Sequence, residues 1–426
     1  MIDLATAWDL LLPFLEPLPP EELPRRQCLG RVLAADLAAT VDVPHADVSA
    51  MDGYAYAGEI EPGSRLPVGR RIAAGDPPGR ELPRGGALPI MTGAPTPAGA
   101  DRVVRFEDTR RFGTEGDGSG GISGEGGGGG DGGGEVEIRV PPAAGANIRR
   151  RAELLAVGDP LLSAGSRLGP PALALAAGHG LASLPVFGQP RVAVLPTGDE
   201  VVPPEAEPGP GQLRDTHSDY LLAAGRGLGL DFRPLGIAPD EPAELVRRMG
   251  RGLEEADVLL VGGGVSAGEL DFVEAALEEL GCRALFTSVA VQPGKPLVAA
   301  VRSAADDPQG KRRLVFGMPG NPAAVRVTYR LVVRPALERL AGWAAAAPLD
   351  ALLAGELVAP CPGAKARDRF LPAMVEIIDG RPRVTPVASR GSHDMSAPAR
   401  GGALVLVPAR SAPREAGEAC RVLLSE

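Results

Sequence analysis

Three stretches decide how this chain folds: RVAVLPTGDE (residues 191–200), ADVLLVGGGVSAGELDFVEAALEELG (residues 256–281) and RLVFGMPGNPAAVRVTYRLVVRPALERL (residues 313–340). Each begins with a short, uniformly apolar run and enters a loop rich in glycine or proline, and the second and third continue with helical spacing. Apolar runs of this length without polar alternation suit strands covered on both faces, which is the condition of a parallel sheet with crossover helices. The α/β region is expected from about Arg191 to Leu340. Ligands of such sheets sit beyond the carboxyl ends of the strands, so the three loops should converge on one site.

The loop Gly262-Gly263-Gly264-Val265-Ser266-Ala267-Gly268 carries the clearest chemical signal. Successive glycines let the backbone approach a ligand and turn its N–H groups inward, and a following helix adds its positive end. A phosphate or phosphoanhydride suits that arrangement, and a tight structural turn is the alternative. The loop matches neither G-x-G-x-x-G nor the Walker pattern. Glu200, Asp240 and Asp271 are predicted at the same edge, where clustered carboxylates beside a phosphate loop call for a divalent cation, with Mg²⁺ the natural choice. Asp271 alone would serve equally as a helix N-terminal acid. In GMPGNP, Asn321 either faces a ligand or caps the next helix ahead of Pro322. PGKP offers Lys295 on a stiff turn, as a phosphate contact or as a solvated lysine.

Outside this region, residues 42–140 and 349–426 are rich in Pro, Gly and Val over short spans and read as compact β-domains. Asp52 in SAMDGYA and Thr92 in IMTGA stand on small-residue turns, and the run Arg149-Arg150-Arg151 is an anion site or a solvated charge cluster. Between residues 113 and 134, fourteen of twenty-two residues are glycine, a composition unable to offset its ordering entropy, so a disordered hairpin tip is expected.

The start of the chain, MIDLATAWDLLLPFLEPLPP, has no basic flank and is interrupted by Pro13, which suggests a short amphipathic helix and a cytoplasmic protein. A net charge of −10 argues against nucleic acid as a partner. Cys28, Cys282, Cys361 and Cys420 are too dispersed for a disulfide framework or zinc site. The four histidines show no ligand spacing and receive no role.

Taken in order, VPHADVSAMDGYAY, IMTGAP, GANIRRR, PTGDE, DTHSDYL, GGGVSAGELDF, VQPGKP and GMPGNPAAV resemble the molybdopterin molybdenumtransferases, the MoeA family related to the C-terminal part of gephyrin, over nearly the whole chain. The resemblance implies a multidomain α/β plus all-β protein: a linking domain (1–45 with 145–186), an inserted β-domain (46–144), a MogA-like α/β domain (187–340) and a C-terminal β-barrel (341–426). It implies an elongated homodimer whose cleft is shared between subunits, and a transferase that inserts molybdate into adenylyl-molybdopterin with release of AMP. Transient contact with the molybdopterin adenylyltransferase is implied, and no membrane partner. Asp271, Glu200 and Asp240 would be the catalytic and Mg²⁺-organising carboxylates, completed in trans by Thr92 and Asp52. Gly262, Gly263, Gly264, Ser266, Gly268, Lys295, Pro319, Gly320, Asn321 and Ser392 would bind substrate. The chain departs from the pattern at Gln292 (commonly lysine), Leu154 (an acid) and Pro372 (often arginine), and two lost cations would weaken the hold on an oxyanion.

Overall fold

The computed structural model describes residues 1–113, 133–263, 270–344 and 347–424, the side chains of Leu270 and Asp271 excepted. Contacts divide the chain into two units, residues 1–35, 164–173 and 182–426 in the first and 36–163 with 174–181 in the second.

The first unit opens with helix α1 (Leu4–Leu11), started by Asp3, whose carboxylate accepts the Thr6 amide at 2.7 Å. In chain order there follow β1 (Val192–Pro196), α2 (His217–Leu228), β2 (Phe232–Pro234), α3 (Pro242–Glu255), β3 (Val258–Gly262), α4 (Leu270–Glu279), β4 (Arg283–Ser288), β5 (Pro296–Arg302), β6 (Arg313–Met318), α5 (Pro322–Thr328) and α6 (Arg334–Leu340). The six strands form one sheet in the order β2-β1-β3-β6-β5-β4. Strands β2, β1, β3 and β6 are parallel, while β5 and β4 run antiparallel at one edge.

Every residue of β1, β3 and β6 is buried, as expected of strands covered on both faces. Val192, Val194, Val258 and Leu260 face one core, into which α1 sends Leu4, Ala7, Trp8 and Leu11. Ala193, Leu195, Leu259 and Val261 face the opposite core, under Leu245, Met249, Leu253 and Val273. The N-terminal helix thus packs its apolar stripe on one face of the α/β sheet. Each such buried aliphatic side chain contributes about 1.5–3 kcal/mol.

A closed barrel ends the unit: β7 (Leu353–Leu357), β8 (Asp368–Ile378), β9 (Arg381–Pro386), β10 (Ala403–Val407) and β11 (Ala419–Leu423) pair around the ring β8-β9-β7-β11-β10 and back to β8. Closure removes the free edges. Strand Val291–Gln292 adds to the side of β8 in parallel, tying the barrel to the α/β sheet.

In the second unit, two three-stranded sheets, Leu88–Ile90/Gly53–Tyr56/Arg102–Arg105 and Ser64–Pro67/Glu135–Ile138/Thr109–Phe112, enclose Tyr54, Tyr56, Val104, Val136 and Ile138. Gly53 is obligatory: a Cβ there would lie 1.8 Å from the Val104 carbonyl oxygen. The glycine tract joins the paired strands Thr109–Phe112 and Glu135–Ile138, and its residues 114–132, including the expected disordered tip, lie outside the described residues. All four cysteines are buried and unpaired. Among the described residues no helix is long and apolar enough to cross a membrane.

Candidate active site

The carboxyl ends of the parallel strands are knitted together by backbone. Thr197 N–H donates to the Gly262 carbonyl at 2.6 Å, Gly198 N–H to Ala238 at 3.1 Å and Gly263 N–H to Met318 at 3.4 Å. The loops after β1, β2, β3 and β6 therefore meet, as the open-sheet rule requires. Gly263 has φ +105°, and a Cβ on it would stand 2.4 Å from the Thr197 carbonyl oxygen, so only glycine fits. Gly320 lies close beyond, its would-be Cβ 3.9 Å from Gly263 Cα. The buried Thr197 hydroxyl at this edge has no hydrogen-bond partner among the described residues. Gly264, Ser266 and Gly268 lie outside the described residues, as does the Asp271 side chain, whose backbone is in the first turn of α4.

Sequence reasoning gave no role to His217, which starts α2 beneath this edge. Asp215 accepts the His217 and Ser218 amides at 2.9 and 3.1 Å and fixes the start of the helix. The His217 ring packs under Gly262 and hydrogen-bonds to the Gly320 backbone, spanning two of the loops. Burial pushes its pKa below the usual 6.5, against the pull of Asp215 and the Gly320 bond. The signal in the sequence was DTHSDYL, where an acid two residues ahead of a helix start caps it.

Asp199 and Asp240 hold each other's loops: Asp240 N–H donates to the Asp199 carboxylate at 3.1 Å, and Asp199 N–H donates to the Asp240 carboxylate at 3.4 Å. Glu200 folds back over Gly198, its carboxylate 2.6–2.9 Å from where a Cβ would stand. Asp199, not singled out from sequence, is thus the third described acid of this edge. Among the described residues no three His, Cys, Asp or Glu side chains are poised around a common metal position. The expected trio of Glu200, Asp240 and Asp271 includes the Asp271 side chain, which lies outside the described residues.

Next to these loops a cleft of about 480 Å³ opens toward the barrel. Its α/β wall is Gln292–Pro296 with Pro319, Gly320 and Asn321, and its barrel wall includes Arg369, Leu371, Pro372 and Ser392. Lys295, Arg326, Arg367 and Arg369 line it, and among the described residues no acid does, which favours an anion there. Gly294, at φ +116°, makes the turn that presents Lys295; a Cβ there would meet Thr328 Cγ2 at 2.7 Å. Asn321 occupies the N-cap position of α5 with Pro322 following, yet its side chain makes no capping bond and faces the cleft. Ser392 is anchored by its carbonyl, which accepts the Ala323 amide at 3.1 Å. Lys295, Pro319, Gly320, Asn321 and Ser392, separated by up to 97 positions in the chain (392 − 295), come together here.

In the second unit, Asp52 and Thr92 meet: the Thr92 amide and hydroxyl donate to one Asp52 carboxylate oxygen at 2.6 and 2.7 Å. These bonds hold the Asp52 carboxyl below its ordinary pKa. Arg150 and Arg151 are engaged by Asp47 and Asp42, each at 2.6 Å, so part of the arginine run has a structural use. Leu154 is exposed beside it.

A parallel α/β domain with a glycine edge, clustered acids and an adjoining cationic cleft, followed by a closed barrel, defines a multidomain α/β plus all-β protein. Residues 2–180 match the family model described as MoeA N-terminal region (domain I and II), 193–339 the probable molybdopterin binding domain, and 354–425 the MoeA C-terminal region (domain IV). A molybdopterin molybdenumtransferase of Synechococcus elongatus is 39% identical over 332 residues, 75% of each chain. One of Bacillus subtilis is 31% identical over 96% of this chain and 94% of its own. The solved molybdopterin biosynthesis MoeA protein of Pyrococcus horikosii superposes with a TM-score of 0.78 at 29% identity, covering 100% of this chain and 99% of that one. The chain belongs to the MoeA family.

Proposed function

We propose that this transferase inserts molybdate into adenylyl-molybdopterin, releasing AMP and yielding molybdenum cofactor. The observation that carries this reading is the cationic cleft, lined by no acid among the described residues, that is joined through Gly320 to the glycine edge at Gly263. It offers two anion positions side by side, one for the phosphoanhydride at the strand ends and one for molybdate in the cleft. Gly262, Gly263, Gly264, Ser266 and Gly268 would take the anhydride, while Lys295, Asn321 and Ser392 would orient the second anion. Two dithiolene sulfurs replace oxo groups on molybdenum as the anhydride is cleaved, so the protein needs to position and neutralise rather than provide a covalent nucleophile.

The hard carboxylate oxygens of Asp199, Glu200 and Asp240, with the Thr197 hydroxyl nearby, unpartnered among the described residues, fit Mg²⁺ in donor chemistry. Glu200, Asp240 and Asp271 would hold it. When bound, it neutralises the charge of the anhydride. The protein would act in the cytoplasm as a homodimer, with Asp52 and Thr92 of the partner subunit completing the cleft. Its substrate would come through transient contact with the molybdopterin adenylyltransferase.

The test is AMP release from adenylyl-molybdopterin and Mg²⁺, with and without molybdate. Molybdate-dependent AMP formation without ATP is expected; a reaction that needs ATP and ignores molybdate would assign the chain to the adenylylation step instead.

A further inference from the structure

Among the described residues four cations line the cleft, but they are not equally available to a ligand. Arg326 is bonded to the Gly402 carbonyl, and Arg367 donates to the Val291 carbonyl at 3.3 Å. Among the described residues no hydrogen bond or ion pair engages the side chain of Arg369 or of Lys295. Lys295 sits exposed at the mouth on its glycine turn, whereas Arg369 is half-buried in the barrel wall. Its neighbours Phe370 and Leu371 are buried and line the same cleft.

Register gives Arg369 its significance. In the parallel pair formed by Val291–Gln292 and β8, Gln292 is the Cα partner of Arg369. Residues in register on adjacent strands project to the same face within about 5 Å of each other. The guanidinium can therefore reach the volume that a long side chain at position 292 would reach. Gln292 itself contributes no charge there, and the buried Pro372 on the same wall contributes none either. A planar, permanently charged fork beside one mobile ammonium suits a tetrahedral dianion, since the fork bonds two oxygens at once.

We propose that Arg369 is the oxyanion-binding cation of this cleft, supplying from the barrel strand the charge that Gln292 lacks, and that with Lys295 it determines the affinity for molybdate. This rests on the reading of the cleft as the molybdate position.

The experiment compares the full-length protein with Arg369→Gln, Gln292→Lys and the double variant. Molybdate binding is followed by calorimetry, and the molybdate concentration giving half-maximal AMP release is measured in parallel. Arg369→Gln should weaken molybdate about tenfold, equivalent to about 1.4 kcal/mol. Adding Gln292→Lys to it should recover most of that loss, which a merely structural role for Arg369 would not allow. Unchanged affinity in Arg369→Gln, or failure of Gln292→Lys to restore it in a double variant that melts like the parent, overturns the proposal. Calorimetry separates this from the wider reading: binding that depends on Arg369 without any AMP release sustains the oxyanion site while removing the transferase assignment.

Discussion

Replacing Gly263 by alanine tests whether the glycine edge is held by backbone crowding. The position has φ +105°, outside the left-handed well that other residues occasionally enter, and such a conformation costs a non-glycine residue about 1–3 kcal/mol. The new Cβ would also stand 2.4 Å from the Thr197 carbonyl oxygen, a backbone atom of the β1 end that cannot rotate away. Relieving that overlap by shifting backbone adds about 1–3 kcal/mol. Gly281→Ala is the matched control: φ is +69° and nothing lies within 4 Å, so only the left-handed penalty of about 1–2 kcal/mol applies. Gly263→Ala is therefore expected to lose about 2–6 kcal/mol. Urea unfolding would report the difference through Trp8, which is 4% exposed in the core shared with β1 and β3. Because Thr197 and Gly263 join the two loops, AMP release should fall in Gly263→Ala and persist in Gly281→Ala. If the two variants are equally stable and equally active, the argument from crowding is wrong.

Three further outcomes follow from the geometry. Asp307 is fully buried between Arg302 and Arg313 and accepts the Gln309 and Lys311 amides; Asp307→Asn leaves buried guanidinium charge uncompensated and should cost about 3–5 kcal/mol in urea unfolding, without itself touching the cleft. Thr92→Val removes one of two donors holding the Asp52 carboxyl below its ordinary pKa, so an NMR titration of Asp52 should show its pKa move up while the amide bond keeps it partly depressed. His217 has a folded pKa depressed below 6.5, so the unfolded chain takes up its proton first as pH falls. Its contribution is therefore complete above 6.5 and lost as pH drops through the lower folded value. The slope of stability against pH in that window should flatten in His217→Asn, and an unchanged slope would mean the ring is not buried as described.

Much was legible locally. Apolar runs such as VAVLP and LVFGM announce strands buried on both faces, because no residue in them tolerates water. The glycines of the second loop mark a close backbone approach, which the Thr197 carbonyl explains at Gly263. PGKP and GMPGNP were readable as stiff turns, but a turn does not reveal what it faces. Lys295 and Asn321 each had an equally good structural reading, and only the folded chain shows that both line one cleft with Ser392.

The chain's own sequence thus determined which segments are strands, which loops must be glycine and which family motifs stand in order, since those follow from periodicity, backbone sterics and residue chemistry over short spans. Tertiary structure alone decided that Asp52 meets Thr92, that Asp199 exchanges amides with Asp240, and that Arg369 stands in register beside Gln292. These pairings span roughly forty to eighty positions, and register and loop closure over such separations are set by the packing of the whole sheet and barrel. No local pattern records them.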